Sequence, residues 1–158
     1  MNKYQRLIDG AEVREMHDPT TGGSLHGALY GDTKSHRAFV QPLPLFSNIG
    51  SSDRAVQAAA LAELTGAKVL QITSNGFRGS SLRPSHLRGY LTGNMSPHAW
   101  SVDSVLHKDR PLGDVPPQEA VFIGESLAAA PAALPTRAAS VSRKRSRTSP
   151  TAVRSRRI

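Results

Sequence analysis

Cysteine is absent from this 158-residue sequence, which excludes disulfide bonds and metal sites built on thiolates. Apolar runs long enough to cross a membrane are also absent, and the N-terminus lacks the apolar segment of a signal peptide. There is no histidine pair at metal-ligand spacing and no paired-carboxylate pattern. These absences predict a soluble, cytoplasmic protein without a membrane span, a metal ion or another cofactor.

Acidic residues are missing from the last part of the chain. Residues 137–158 contain 8 of the 20 Lys and Arg residues and none of the 12 acidic residues. Residues 1–136 therefore hold 12 basic and 12 acidic residues and are formally neutral, so the net charge of +8 belongs to the C-terminal segment. This segment also lacks aromatic residues and hydrophobic periodicity, which predicts a disordered basic tail.

The sequence leaves two interpretations of this tail open. Its basic side chains would contact phosphates or other anionic surfaces, and residues 137–158 would then make non-specific polyanion contacts, for example with nucleic acid. Alternatively, a change of reading frame in a GC-rich gene would give Arg, Ser, Pro and Ala in such proportions.

Helix and strand signals precede the tail, in a chain long enough for one domain. A helix over residues 52–65 is indicated by a serine cap, by Asp53 in the first turn and by Gly66 at the end. The apolar face of this helix is predicted to consist of Val56, Ala60, Leu61 and Leu64.

Strands are predicted on both sides of this helix. Their ranges are 25–30, 37–46, 68–73 and 120–123. A strand, a helix and a strand with short joints form a βαβ unit, which implies parallel strands in a helix-covered sheet. A glycine-rich loop follows at residues 74–81, and a further helix is predicted from Ser96, as its cap, to Lys108.

A sharp strand-to-helix turn is predicted within residues 119–130. Gly124 stands two residues before Ser126, where a side chain would strike the backbone, and Ala128 is small where the new helix would pass the strand. Such a turn lifts the Ser126 hydroxyl into a pocket. The pattern resembles the nucleophile elbow of the α/β-hydrolase family, G-x-S-x-G, with alanine in place of the last glycine.

The resemblance extends to the order of the elements over roughly residues 20–130. Residues 76–81 look like the family's loop of the type G-F-G-x-S. The implied fold class is α/β, with a partial α/β-hydrolase-type, mostly parallel sheet, flanking helices and a disordered basic C-terminal tail. The implied division is an N-terminal segment 1–24, a partial hydrolase-like domain 25–136 and the tail 137–158.

The resemblance implies acyl transfer from a small-molecule ester or a similar substrate. Ser126 is then the candidate nucleophile, and the backbone N–H of Leu127 is one oxyanion donor. The second oxyanion donor would come from the loop after strand 37–46, near Ser47 or Asn48.

The other two members of a catalytic triad do not follow this serine. The family order is serine, acid, histidine, whereas all six histidines precede Ser126 and no acidic residue follows it. His86, His98 and His107 are expected to be exposed or loop residues. The sequence thus predicts a truncated or frame-changed, inactive relative of serine esterases, with an exposed sheet edge where later strands would lie.

Overall fold

In the described part of the chain, helices lie among and beside the strands of one mixed sheet. The computed structural model describes residues 4–44, 47, 49, 52–115, 117–124 and 152–157. Its elements are α1 (Gln5–Asp9), β1 (Glu12–Asp18), β2 (Gly23–Tyr30), β3 (Arg37–Pro42), α2 (Ser52–Thr65), β4 (Lys68–Ile72), α3 (Pro84–Thr92), α4 (Ser96–Lys108), β5 (Glu119–Gly124) and β6 (Ala152–Arg157).

The strands form one sheet in the order β1-β2-β4-β3-β5-β6. Strands β4, β3 and β5 are parallel to one another, and the other pairings, β1–β2, β2–β4 and β5–β6, are antiparallel. The carboxyl ends of the parallel strands therefore meet at one edge of the sheet, where ligands bind in open α/β sheets. The predicted α/β fold class, a sheet with parallel strands at its centre and flanking helices, is confirmed.

The predicted βαβ unit is formed by β3, α2 and β4, since β3 and β4 are adjacent and parallel. The first two predicted strands, 25–30 and 37–46, correspond to β2 and β3, of which β3 ends at Pro42, and β4 lies between them in the sheet. This order follows from the crossover: α2 returns the chain to the β2 side of β3, so a short 31–36 connection joins strands that do not pair.

Helix α2 has the predicted bounds, but its predicted apolar face is largely wrong, since Leu61 packs against the core only as a partly buried side chain. Leu64 is 77% exposed, and the face against the sheet consists of Ala55, Ala58, Ala59 and Ala62. Alanine lets the helix lie close to the strands because its side chain is a single methyl group. In the choice of the buried face, this close packing outweighs the greater hydrophobicity of leucine. Gly66 ends the helix with φ +63°, as its position predicted.

The sheet carries a hydrophobic core on each face. Helices α1 and α2 cover one face, where Tyr30 and Val69 are buried against the alanines of α2. Helix α4 covers the other face with Val102 and Val105. Trp100, on the same helix, is 61% exposed. Ser96 is the first residue of α4 and not its cap, which is Met95.

Residues 152–157 are the described part of the basic C-terminal segment. They form β6, which pairs antiparallel with β5 and covers the edge of β5 that was expected to be exposed. A free strand edge offers backbone N–H and C=O groups to another extended segment, whatever the side chains of that segment are. The side-chain periodicity of residues 152–157 therefore gave no sign of a strand. Residues 125–151 lie outside the described part of the chain.

Candidate functional site

The loops after β3 and β4 meet at the carboxyl edge of the parallel strands. The N–H of Leu43 donates to the Ile72 carbonyl at 2.8 Å, and Ser74 Oγ donates to the Leu43 carbonyl at 2.9 Å. Strand β5 ends at Gly124 on the same edge, beside β3. The carboxyl edge is therefore the candidate functional site.

Only one of the predicted site residues lies in the described part of the chain. Ser47 belongs to the loop after β3, and its N–H donates to the Pro44 carbonyl at 3.1 Å. The candidate nucleophile Ser126 and the candidate oxyanion donors Leu127 and Asn48 lie outside the described residues. The nucleophile and oxyanion roles stay predictions.

The glycine-rich loop 74–81 is a compact double turn at this edge. The N–H of Phe77 donates to the Ser74 carbonyl at 3.1 Å, and the N–H of Ser80 donates to the Phe77 carbonyl at 2.9 Å. Arg78, at the exposed tip, has a left-handed backbone with φ 50°, which is uncommon for a residue with a side chain. The loop therefore has a defined shape that its own hydrogen bonds support.

Strand β2 fixes the far end of this loop. Ser80 Oγ accepts the N–H of His26 at 3.0 Å, and Ser81 Oγ accepts the N–H of Ser24 at 2.9 Å. The two hydroxyls thus replace ladder partners where the β2–β4 pairing ends. The serines of the loop have a structural role in these contacts.

Behind the loop lies a buried cluster of polar side chains, which we call the Asn75 cluster. Each member is at most 3% exposed. The members are Asp18, Asn75, His86, His98 and Ser101. They come from β1, the β4–α3 loop, α3 and α4, so the cluster joins the sheet to the α3–α4 hairpin.

Asp18 is the anionic end of the Asn75 cluster. Its Oδ1 accepts the N–H and the hydroxyl of Thr20 at 2.9 and 2.7 Å, and its Oδ2 accepts the hydroxyl of Thr21 at 3.0 Å. Burial by itself would raise the pKa of Asp18, but hydrogen bonds from Thr20, Ser101 and Thr21 outweigh it and lower that pKa. The side chain is therefore a carboxylate.

Asn75 is the centre of the cluster. Its Nδ2 donates to Ser81 O at 3.1 Å and to Asp18 Oδ2 at 3.3 Å. Both partners are acceptors, which fixes the orientation of the amide. Asn75 Oδ1 faces His98 Nδ1 at 3.0 Å, so this ring nitrogen must carry the proton and donate.

His86 and Ser101 have the spacing of a base and a nucleophile, with 3.1 Å between Nε2 and Oγ. The backbone N–H of Arg83, however, donates to His86 Nδ1 at 3.2 Å. In the neutral ring Nε2 then carries the proton, so His86 donates to Ser101 and does not accept its proton. Ser101 Oγ in turn lies 2.7 Å from Thr20 Oγ, and the Thr20 hydroxyl donates to Asp18 Oδ1. The successive hydrogen bonds from His86 therefore end at the Asp18 carboxylate.

His98 is held between aromatic and polar groups. Its ring stacks on Tyr90, with 4.1 Å between centroids, and lies 4.9 Å from the ring of His86. Burial, and after it the neighbouring His86, lowers the pKa of His98 to about 4. Burial likewise lowers the pKa of His86, against the opposing effects of the Pro97 carbonyl and Asp18. Both rings are therefore neutral at pH 7.

The sequence-based expectation that His86 and His98 are exposed or loop residues is wrong. They lie on α3 and α4 and are 2% and 3% exposed. His86 is hydrogen-bonded to Ser101 and to the Arg83 N–H, and His98 to Asn75. Such partners cannot be recognised from sequence spacing. His107 is exposed at the end of α4 and donates from Nδ1 to the Asp103 carbonyl at 2.7 Å.

The described residues contain no cluster of three or more side chains able to hold a metal ion. Within the same residues, no helix is both long and apolar enough to cross a membrane.

No protein-family model and no curated protein matches this sequence. Nine chains among the solved structures are similar to it. ESTFA, in its iron-lacking apo form, is 19% identical over 76% of this chain and 38% of its own, with a TM-score of 0.48. An α/β serine hydrolase without a lid from Xanthomonas campestris is 18% identical over 76% of this chain and 52% of its own, with a TM-score of 0.47.

The third structure is an esterase from Pyrobaculum calidifontis. It is 13% identical over 81% of this chain and 42% of its own, with a TM-score of 0.48. This chain thus spans between 38% and 52% of the length of the three structures.

Proposed function

We propose that this chain is an α/β-hydrolase-like protein related to serine hydrolases that act on esters or similar acyl bonds, with Ser126 as the nucleophile. The observation that supports the proposal is the course of β5. This strand runs parallel to β3 and ends at Gly124, two residues before Ser126 in the sequence. Residues that follow parallel strands at their carboxyl ends form the ligand site of open α/β sheets.

The proposed chemistry is acyl transfer. Ser126 Oγ attacks the acyl carbonyl while a base takes its proton, and the carbonyl oxygen becomes an oxyanion. The N–H of Leu127 and one N–H near Ser47 or Asn48 would stabilise that charge. The leaving alcohol takes a proton, and water then releases the acid and restores the serine.

The 158-residue chain by itself is proposed to lack turnover. No histidine and no acidic residue follows Ser126. Of the earlier histidines, His86 and His98 are buried and engaged with Ser101 and Asn75. Loss of triad members typically lowers the rate by about 10⁴–10⁶-fold. The expected state is a hydrolase-like scaffold with an unactivated serine.

The test is hydrolysis of a short-chain activated ester by the purified chain, together with labelling by a fluorophosphonate probe. We expect equal, background-level hydrolysis from the wild type, from Ser126→Ala and from the control Ser85→Ala, whose serine is exposed on α3. Hydrolysis lost only in Ser126→Ala, with stoichiometric labelling of Ser126, would establish the nucleophile and overturn the inactivity. Labelling of a different serine would overturn the assignment of Ser126 itself.

A further inference from the structure

Helix α3 turns two leucines outward. Leu87 is 51% exposed and Leu91 is 80% exposed, and side chains four residues apart lie on the same side of a helix. The opposite side of α3 packs inward through the buried residues His86 and Gly89. The outward side of a surface helix is usually polar. These two leucines therefore contribute exposed apolar surface and little to the core.

The loop 74–81 continues this apolar surface. The ring of Phe77 lies 6.2 Å from the ring of Tyr90, in an edge-to-face arrangement, and Tyr90 is next to Leu87 on α3. Leu82 is 47% exposed and lies over Gly76, where an added Cβ would come within 3.1 Å of its Cδ1. The loop and α3 therefore share one surface beside the carboxyl edge, which we call the leucine surface. Its apolar members are Phe77, Leu82, Leu87 and Leu91.

The charged residues of this region are all arginines. Arg78 at the loop tip, Arg83 before α3 and Arg88 on α3 are exposed. Arg88 is three residues before Leu91 and is its neighbour on the helix. No acidic residue occurs within residues 74–102. The leucine surface therefore combines apolar side chains with positive charge.

A second copy of the chain fits this surface poorly. In a two-fold symmetric dimer the same patch faces itself, so the arginines of the two copies would be brought together. Residues 137–151 of the same chain fit no better, because they are basic and contain no acidic residue. The complementary partner is therefore both apolar and anionic.

An anionic lipid surface has both properties. Its headgroups carry negative charge, and its acyl chains take up apolar side chains. Arginines beside inserted leucines extend their long side chains back to the headgroups. An acidic helical peptide would instead need a groove for its own apolar side chains, whereas Leu91, at 80% exposed, projects from the protein.

We propose that the leucine surface docks this chain onto a membrane surface that contains anionic lipid. The leucines of α3 insert at the acyl boundary, and the arginines contact the headgroups. The contact is peripheral, and it brings the carboxyl edge of the sheet close to the lipid. It does not depend on the chemistry proposed for Ser126.

Co-sedimentation of the full chain with vesicles tests the apolar contribution. The vesicles contain phosphatidylcholine and about 30% phosphatidylglycerol, which supplies the negative charge. Leu87→Ser/Leu91→Ser should bind about 10-fold more weakly than the wild type, because two projecting leucines lose their apolar contact. The matched control Leu64→Ser removes a leucine that is 77% exposed on α2. It should bind as the wild type.

The charge contribution is tested in the same assay. Arg88→Gln should weaken binding about 5-fold at low salt, which is the usual contribution of one cation near an anionic surface. The matched control Arg6→Gln removes an exposed arginine on α1 and should leave binding unchanged. Equal losses in both variants would mean that net charge alone attracts the chain, and would overturn the proposal.

The basic C-terminal segment would add its own attraction to anionic vesicles. This attraction is electrostatic and is screened at about 0.5 M salt, where the Debye length is about 4 Å. The difference between the wild type and Leu87→Ser/Leu91→Ser should persist there. Equal binding of these two proteins at both salt concentrations, or no binding by the wild type, would overturn the proposal.

A fluorescent label measures insertion directly. Because the chain has no cysteine, an environment-sensitive fluorophore can be attached to one introduced thiol. Its emission should shift to the blue on vesicle binding at Leu91→Cys and should not shift at Leu64→Cys. A label at position 91 that stays in water while the chain is bound would contradict the docking.

Size-exclusion chromatography without lipid checks the other occupant of the leucine surface. The wild type and Leu87→Ser/Leu91→Ser should elute at the same volume. A wild-type dimer that the double substitution converts to a monomer would assign the surface to a second copy of the chain, and would refute docking to lipid.

Discussion

His86 Nε2 lies 3.1 Å from Ser101 Oγ in the interior of the protein, and the pair is organised as a structural hydrogen bond. The N–H of Arg83 occupies the other ring nitrogen, which leaves the proton on Nε2 and makes the histidine a donor. Ser101 is fully buried, so no substrate reaches it. A short serine–histidine distance identifies a nucleophile only when the tautomer and the access of solvent also fit.

The two buried histidines make the free energy of unfolding depend on pH. Because their pKa values are lowered in the folded state, their stabilisation is complete above about pH 6.5 and is lost as the pH falls towards 4. For His98 alone, whose folded pKa is about 4, the loss between pH 7.5 and pH 5 is about 2 kcal/mol. Urea titrations at pH 7.5, 6 and 5 measure it.

His98→Asn should reduce this pH dependence by the same amount, whereas the exposed control His36→Asn should leave it unchanged. If His98→Asn retains the full loss of stability at acid pH, the effect belongs to another group.

Two glycines with positive φ predict different costs for the same substitution. A Cβ on Gly66 (φ +63°) would meet nothing within 4 Å, whereas a Cβ on Gly31 (φ +87°) would lie 2.8 Å from the Ala67 carbonyl and 2.9 Å from Ala62 Cβ. Gly66→Ala should therefore cost about 1 kcal/mol, from the left-handed backbone alone. Gly31→Ala adds a steric cost of about 1–3 kcal/mol, because α2 cannot move away from the sheet without losing its contacts.

Urea denaturation of both variants at pH 7.5 checks this difference. Equal losses of stability would mean that the approach of α2 to Gly31 is looser than the structure describes.

The pairing of β5 with β6 predicts a disulfide. Val121 and Ser155 are register partners, and the chain has no native cysteine to compete. Mild oxidation of the double variant Val121→Cys/Ser155→Cys should therefore give an intramolecular cross-link, visible by mass spectrometry before and after reduction. The matched control Val121→Cys/Arg154→Cys is shifted by one residue, which turns the second thiol to the other face of the sheet. Equal cross-linking of both pairs would contradict the register.

Local signals in the sequence determined several elements without any tertiary information. The serine cap, Asp53 and Gly66 fixed the bounds of α2, and the proline after Ser96 fixed the start of α4 to within one residue. The strand–helix–strand order predicted that the strands within residues 37–46 and 68–73 are parallel, and β3 and β4 are parallel neighbours. These features depend on backbone groups and neighbours within a few residues, which the sequence contains directly.

Only the tertiary structure decided which face of α2 is buried, since valine and leucine suggested one side and the alanines next to the sheet occupy another. It also decided that β4 lies between β2 and β3, and that Asp18, Asn75 and Ser101 meet with the two histidines. The residues that these side chains contact are distant in the sequence, as Thr20 and Ser101 are, 81 residues apart. Hydrogen bonds over such separations leave no periodicity in the sequence, because burial and orientation arise only when the sheet and the α3–α4 hairpin pack together.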